Sequence, residues 1–376
     1  MDTSLPLALL GGLSPDLFMR RHWQRKPLLI RQAVPDPQAW LPARAELLAL
    51  AARDDVESRL IRATNGRWQM RSGPLARRAL PPLAAPDWTL LVQGVDLHHA
   101  GAHRLLQQFR FVPDARLDDV MISFATDGGG VGPHFDSYDV FLLQTHGRRR
   151  WRIGRQKDLT LQEDVPLKIL AQFTPEQEFV LEPGDMLYLP PRYAHDGTAE
   201  GECMTCSIGF RAPRENELAQ ELLQRLAEDA ADASERLYAD AGQPAVAAPG
   251  AVPEALQAFA RSALEDLLRD RDALPRALGE YLTEPKPQVW FDEGAALVLP
   301  AAVRLDRRTR MLYDPRHIFI NGESYRAAGR DARLMQRLAD ARGLTAAEVA
   351  AASVDARELL SSWGEAGWLH EAAEPA

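Results

Sequence analysis

Gly132-Pro133-His134-Phe135-Asp136-Ser137-Tyr138-Asp139-Val140-Phe141 is the stretch on which the fold turns. A histidine and an aspartate two positions apart, joined by a distant second histidine in Pro190-Pro191-Arg192-Tyr193-Ala194-His195, form the facial ligand set that holds non-haem iron(II) and leaves other coordination positions open. In an extended strand alternate side chains share a face, so His134 and Asp136 can grip one ion while Phe135 points away. His195 lies 61 positions beyond His134 and must arrive on a second strand brought alongside. This geometry predicts a small β-barrel with a metal inside.

A His-x-Asp pair alone recurs by chance in many chains, and its surroundings carry the rest. Asp127-Gly128-Gly129-Gly130-Val131-Gly132-Pro133 reads as a flexible loop that lets backbone pass close to a ligand at the barrel mouth. Leu181 to Pro190 reads as a tight turn at Pro183-Gly184-Asp185 followed by a short apolar strand. Between them, Asp139 to Thr145 and Arg148 to Ile153 read as a hairpin turning at His146-Gly147.

The second arm of that hairpin separates four arginines. By period-two alternation Arg148, Arg150 and Arg152 share one face, while Arg149 falls with Trp151 and Ile153 on the inner one. A guanidinium inside a barrel is costly unless an anion meets it. A dicarboxylate gripped bidentately would supply one, and an ion pair with a distant acid is the alternative.

Three segments, HFDSYDVFLLQTHGRRRWRIG (134–154), EPGDMLYLPPRYAHDG (182–197) and FMRRHWQRKPLLIRQA (18–33), resemble the JmjC/cupin-type ribosomal oxygenases. The likeness is narrowest to the bacterial branch, which hydroxylates an arginine of the sixteenth large-subunit ribosomal protein. It is sharp over residues 14–35 and 118–212. It implies that His134, Asp136 and His195 bind Fe(II). It also implies that the basic residue fifteen positions past the first histidine, Arg149, anchors the far carboxylate of the cosubstrate 2-oxoglutarate; many relatives have Lys there. A hydroxyl at Ser123, in the apolar strand Val120 to Phe124, would help hold the cosubstrate; Thr205 and Ser207 are weaker candidates of that kind. The reaction implied consumes oxygen and 2-oxoglutarate, releases succinate and CO2, and hydroxylates an unactivated carbon of a protein side chain. Asp127, Tyr138 and Asp139 are weak candidates for receiving a cationic substrate side chain.

Composition is consistent with this reading. The chain has 376 residues, 46% hydrophobic and 26% charged, as in a soluble globular protein with an ample core and more than one domain. A net charge of −9 argues against general affinity for nucleic acid and favours a basic partner such as a ribosomal protein. Leu5 to Leu10 is too short for a secretory signal, and no run approaches the roughly 18 apolar residues of a membrane span, so a cytoplasmic protein is expected. Cys203 and Cys206, inside an expected strand, read as reduced core thiols rather than a redox or zinc pair.

The fold class expected is α+β: a double-stranded β-helix (cupin/JmjC) barrel, a helical dimerisation region and a C-terminal winged-helix-like domain. Residues 1–212 hold the catalytic part, with a helix expected over Leu9 to Trp23. Residues 213–290 hold two amphipathic helices, one over Glu215 to Tyr238 and one bearing Leu256, Phe259, Leu264, Leu267 and Leu268. Their apolar faces need a partner, and the resemblance implies a homodimer. Residues 291–376 begin with strand-like Ala296 to Leu299 and contain an Asn321-Gly322 hairpin and three helices. No helix there shows a clean basic face, which favours protein contact over DNA binding. Three other functions fit parts of this pattern: an oxygenase of another protein residue, a ligand-sensing DNA-binding regulator, and a cupin isomerase.

Overall fold

The computed structural model describes residues 2–64, 67–229 and 236–372. The chain divides into two compact units, Met1–Ala212 and Pro213–Ala376.

Among the described residues the first unit is built on nine strands: β1 (Leu28–Ile30), β2 (Ser58–Thr64), β3 (Arg67–Ser72), β4 (Trp88–Val92), β5 (Leu117–Ala125), β6 (Val140–Gly154), β7 (Gln177–Leu181), β8 (Met186–Leu189) and β9 (Ala194–Phe210). They pair antiparallel in the order β1-β8-β6-β9-β5-β4-β2-β3, with β7 also on β6. The two longest, β6 and β9, run together from Val140↔Gly209 to Gly154↔Ala194. Along its other edge β6 pairs first with β8 and then with β7. This exchange of partners wraps the sheet into the double-stranded β-helix of cupin-type proteins.

The hairpin expected at His146-Gly147 is therefore one continuous strand. Both halves keep β9 as partner, and the register slips around His146, between Gln144↔Thr205 and Arg148↔Glu200. Gly147 sits at φ +60°, where a Cβ would lie 2.0 Å from the Glu202 carbonyl oxygen. The residues that suggested a turn form a β-bulge that bends the strand without ending it.

Helices α1 (Pro15–Arg21), α2 (Arg44–Leu50), α3 (Val95–His98) and α4 (Ala100–Gln107) accompany the sheet. The helix expected from Leu9 starts only at Pro15, where the Ser14 hydroxyl accepts the Leu17 N–H and proline occupies the first turn. Phe141 and Leu143 of β6 join Phe18, Phe109, Tyr188 and Phe210 in the largest core cluster. Val140 and Leu142 point the other way, with Trp151, Ile153, Leu187 and Leu189. Burial on both faces is why this segment reads as an unbroken apolar run. Cys203 and Cys206 are free, buried thiols of β9, and burial pushes the Cys206 thiol up.

The second unit opens with α5 (Glu215–Asp229), α6 (Glu254–Arg269) and α7 (Ala273–Thr283). The helix expected to reach Tyr238 crosses 230–235, which lie outside the described residues. No residue of α6 is buried. Helix α7 belongs with the strands that follow: Ser324 donates to Glu280 (2.6 Å), and the Thr283 hydroxyl accepts the Gly322 N–H (3.1 Å). Two small antiparallel sheets form there, one of β11 (Met311–Tyr313), β12 (His317–Ile320) and β13 (Glu323–Arg326), the other of β10 (Val303–Leu305), β14 (Gly343–Leu344) and β15 (Leu369–Glu371). Helices α8 (Gly329–Ala341), α9 (Ala346–Ala350) and α10 (Val354–Glu365) complete a winged-helix module. Asn321 and Gly322, both at positive φ, close the β12–β13 hairpin as expected. Ala296 to Leu299 is not a strand; Leu297 packs under Gly364 of α10, so the core takes its side chain in place of sheet pairing. No described helix is long and apolar enough to cross a membrane.

Candidate metal centre and cosubstrate pocket

His134 and Asp136 lie in an extended segment just before β6 rather than in a strand proper. Period-two geometry survives because His134 makes a single antiparallel bridge with His195 at the start of β9. Each histidine N–H donates to the other's carbonyl, at 2.9 and 2.8 Å. The ring Nδ1 of His134 lies 2.9 Å from the Gly132 carbonyl, and that of His195 2.9 Å from the Tyr193 carbonyl. A carbonyl only accepts, so each Nδ1 carries a proton, and in the neutral ring this leaves the lone pair on Nε2. His195 Nε2 is 3.6 Å from Asp136 Oδ2, and one ligand atom from each of the three residues lies within 4.8 Å of the others. Burial, then the neighbouring His134, pushes the His195 pKa down to about 4, so the ring is a neutral ligand at neutral pH. Two imidazoles and a carboxylate on one side of an open cavity fit a divalent transition metal with free positions.

Arg149 opens into the same cavity, of about 250 Å³. It is 5% exposed, and its polar atoms are poorly satisfied. Nη1 reaches the Ser123 hydroxyl at 3.4 Å, while Nε, Nη2 and the neighbouring Trp151 Nε1 have no partner. Its guanidinium carbon sits 5.7 Å from the Trp151 ring centre. A buried cation left in this state costs far more than it returns. These unused donors, next to the three ligand atoms, suit a ligand that carries carboxylates.

The other expected residues divide. Ser123, Ser207 and Tyr138 line the cavity, whereas Thr205 donates to Gln144 (2.9 Å). Desolvation of the hydroxyl end, then the Asp136 carboxylate, raises the Tyr138 pKa above its ordinary range, although 41% of the residue stays exposed. Asp127 accepts the Gly201 N–H (2.7 Å), which holds a turn. Asp139 has no exposure: it accepts from Tyr188 (2.6 Å) and Gln24 (3.2 Å) and faces Arg116 at 3.5 Å, tying the N-terminal segment to the barrel. Asp127 and Asp139 are therefore structural supports, not part of the cavity wall. Sequence reasoning missed Asp118 and Asp119, which line the cavity from the start of β5. The register of β5 on β9 slips between Leu117 and Val120, which strict alternation does not reveal. The one available signal is a pair of acids opening an apolar strand.

The JmjC domain family model matches residues 104–218, and a ROXA-like winged-helix model matches 266–370. A relative from Escherichia coli (strain K12), named ribosomal protein uL16 3-hydroxylase, is 37% identical over 286 residues, covering 73% of this chain and 72% of its own. The chain belongs to the JmjC ribosomal oxygenase family. A solved structure of the E. coli ribosomal oxygenase YcfD, in complex with cobalt and 2-oxoglutarate, superposes with a TM-score of 0.80 at 30% identity, over 96% of this chain and 98% of that one. Human ribosomal oxygenase 1 is more distant, 30% identical over 218 residues that make up 52% of this chain and 31% of the human one. The likeness to the bacterial ribosomal oxygenase thus runs through both units.

Proposed function

We propose that this protein is a cytoplasmic Fe(II)- and 2-oxoglutarate-dependent dioxygenase that hydroxylates an arginine side chain of a basic large-subunit ribosomal protein. The observation that carries the reading is the unsatisfied guanidinium of Arg149 in one cavity with His134, Asp136 and His195. His134, Asp136 and His195 would hold the metal; Arg149, steadied by Ser123, would hold the far carboxylate of 2-oxoglutarate. Iron with 2-oxoglutarate and oxygen supplies the oxidising chemistry, yielding succinate, CO2 and the hydroxylated side chain. The chain's own part is positional. The two backbone carbonyls fix the histidine tautomers, and the apolar lining of Leu91, Met121, Val131 and Leu142 excludes water. A cationic side chain suits a wall that carries Tyr138, the one member of the expected substrate set that lines the cavity, beside Asp118, which also faces Arg211 at 3.5 Å, and Asp119, which accepts from Gln93 and the Gly94 N–H. The name of the E. coli relative supports a ribosomal protein as substrate.

Helix α6, whose Leu264 and Leu268 are 66% and 59% exposed, supports a homodimer in which a second copy covers that face.

The test is intact mass measurement of the large-subunit ribosomal proteins from cells with and without this protein. One protein should lose the mass of a single oxygen on deletion, with the oxygen mapped to an arginine. Unchanged masses, together with no ribosomal-protein-stimulated succinate from the purified enzyme, would end the reading.

A further inference from the structure

From Ser58 to Pro86 the chain contains six arginines and no aspartate, glutamate or lysine, although its average acid content would place about four acids in a stretch of that length. These residues form the β2–β3 hairpin, at the far edge of the sheet, and the turn after it. The register pairs Arg62 with Gln69, Leu60 with Arg71 and Thr64 with Arg67, so Arg62, Arg67, Gln69 and Arg71 share one face. Arg71 donates to the carbonyl of Ala79, which brings Arg77 and Arg78 beside that face. Arg67, Arg71, Arg77 and Arg78 are exposed and Arg62 is half-buried. Arg77 reaches the Pro81 carbonyl (3.3 Å). Among the described residues none of these five meets a carboxylate. The sixth, Arg59, lies on the opposite face, pairs with Glu57 (2.9 Å) and lines the catalytic cavity beside Ile61.

The hairpin thus forms part of the cavity wall on one side, and on the other it and the turn after it present five guanidiniums that meet no described acid, three of them on the hairpin itself, in a chain whose net charge is −9. Many arginines elsewhere on the barrel have acids: Arg44 with Glu202, Arg110 with Asp114, Arg150 with Glu178 and Glu200, Arg152 with Asp196. Five like charges left without acids repel one another unless a polyanion meets them. The planar forks, with no ammonium among them, match phosphate oxygens bidentately. We infer that the face of Arg62, Arg67 and Arg71, with Arg77 and Arg78, docks RNA. Resting on the proposed function, that RNA is the strand on which the ribosomal-protein substrate is carried while its side chain enters the cavity from the other face. The overall negative charge, which disfavours general nucleic-acid affinity, confines such binding to this hairpin.

The experiment uses the full-length protein without 2-oxoglutarate and a fluorescein-labelled oligouridylate of roughly 20 nucleotides, titrated at several salt concentrations. Wild type should bind with a linear log–log salt dependence. Arg67→Glu with Arg71→Glu should weaken binding about ten-fold or more and make the salt slope shallower by about one to two. Arg78→Gln, a milder change that leaves the fold intact, should move both in the same direction by less. An absence of saturable binding at physiological salt, variants equal to wild type, or displacement of the RNA by a poly-glutamate peptide at equal charge concentration would each overturn the proposal. Turnover of the free ribosomal protein by the Arg67→Glu/Arg71→Glu variant should match wild type, which separates docking from chemistry. If wild type binds the RNA yet hydroxylates no ribosomal protein, the functional reading fails while the RNA surface stands.

Discussion

The two faces of β6 hold the same residue type under opposite conditions. On the outer face Arg150 meets Glu178 and Glu200, Arg152 meets Asp196, and Arg148 faces Glu200 at 3.7 Å. Glu178, then Glu200, raises the Arg150 pKa further. On the inner face Arg149, one residue away, has a long hydrogen bond to Ser123 and two nitrogens with no partner. The outer set meets its acids within the chain; the inner arginine meets none among the described residues. An arginine whose partners are missing from the chain thus points to a ligand, and one whose partners are present points to the fold.

The largest effect that bears on this contrast lies beside Arg149. His134→Ala or Asp136→Ala should reduce substrate-stimulated succinate formation to the level without enzyme, with melting confirming a folded protein. Persisting turnover would dissociate the inner face from the metal chemistry. Next, Arg149→Ala should raise the 2-oxoglutarate concentration needed for half-maximal activity about 30-fold or more, a loss of about 2 kcal/mol or greater. Without 2-oxoglutarate the same variant should melt no lower than wild type, since an unpaired buried charge has been removed. An unchanged cosubstrate requirement would place Arg149 with its outward neighbours. A smaller effect is expected at Gly132, which holds φ +77° and whose added Cβ would lie 2.8 Å from Trp68 Cζ2. Gly132→Ala should cost about 1–2 kcal/mol of stability in chemical denaturation and raise the metal requirement, because it displaces the segment bearing His134. The smallest belongs to the outer face: Arg150→Ala should leave the cosubstrate requirement within about two-fold of wild type. A larger change would show that the two faces are coupled.

Much of this site was legible in the chain because it depends on short-range geometry. His134 and Asp136 lie two positions apart, and extended backbone puts them on one side whether or not a full strand forms. Arg149 was separable from Arg148, Arg150 and Arg152 by alternation alone. Other features resisted. His146-Gly147 looks the same whether the chain reverses or bulges, and only the persistence of β9 as partner on both sides distinguishes the two. Asp127 and Asp139 sit as close to the metal-binding motif as Tyr138 does, yet their carboxylates serve a turn and the N-terminal segment. Asp118 and Asp119 could not be placed, since a register slip changes which residues face inward. Helix α7 reads as a continuation of the helical region, and only its bonds to Gly322 and Ser324 join it to the winged module.

The sequence by itself determined the ligand chemistry, the inward turn of one arginine and the class of fold, because donor type and two-residue periodicity are local properties of the chain. The tertiary structure decided that His195 closes on His134, that Arg149 meets no acid among the described residues, and which acids line the cavity. Those outcomes depend on the pairing of β6 with β9 across dozens of residues, and no local pattern encodes that register.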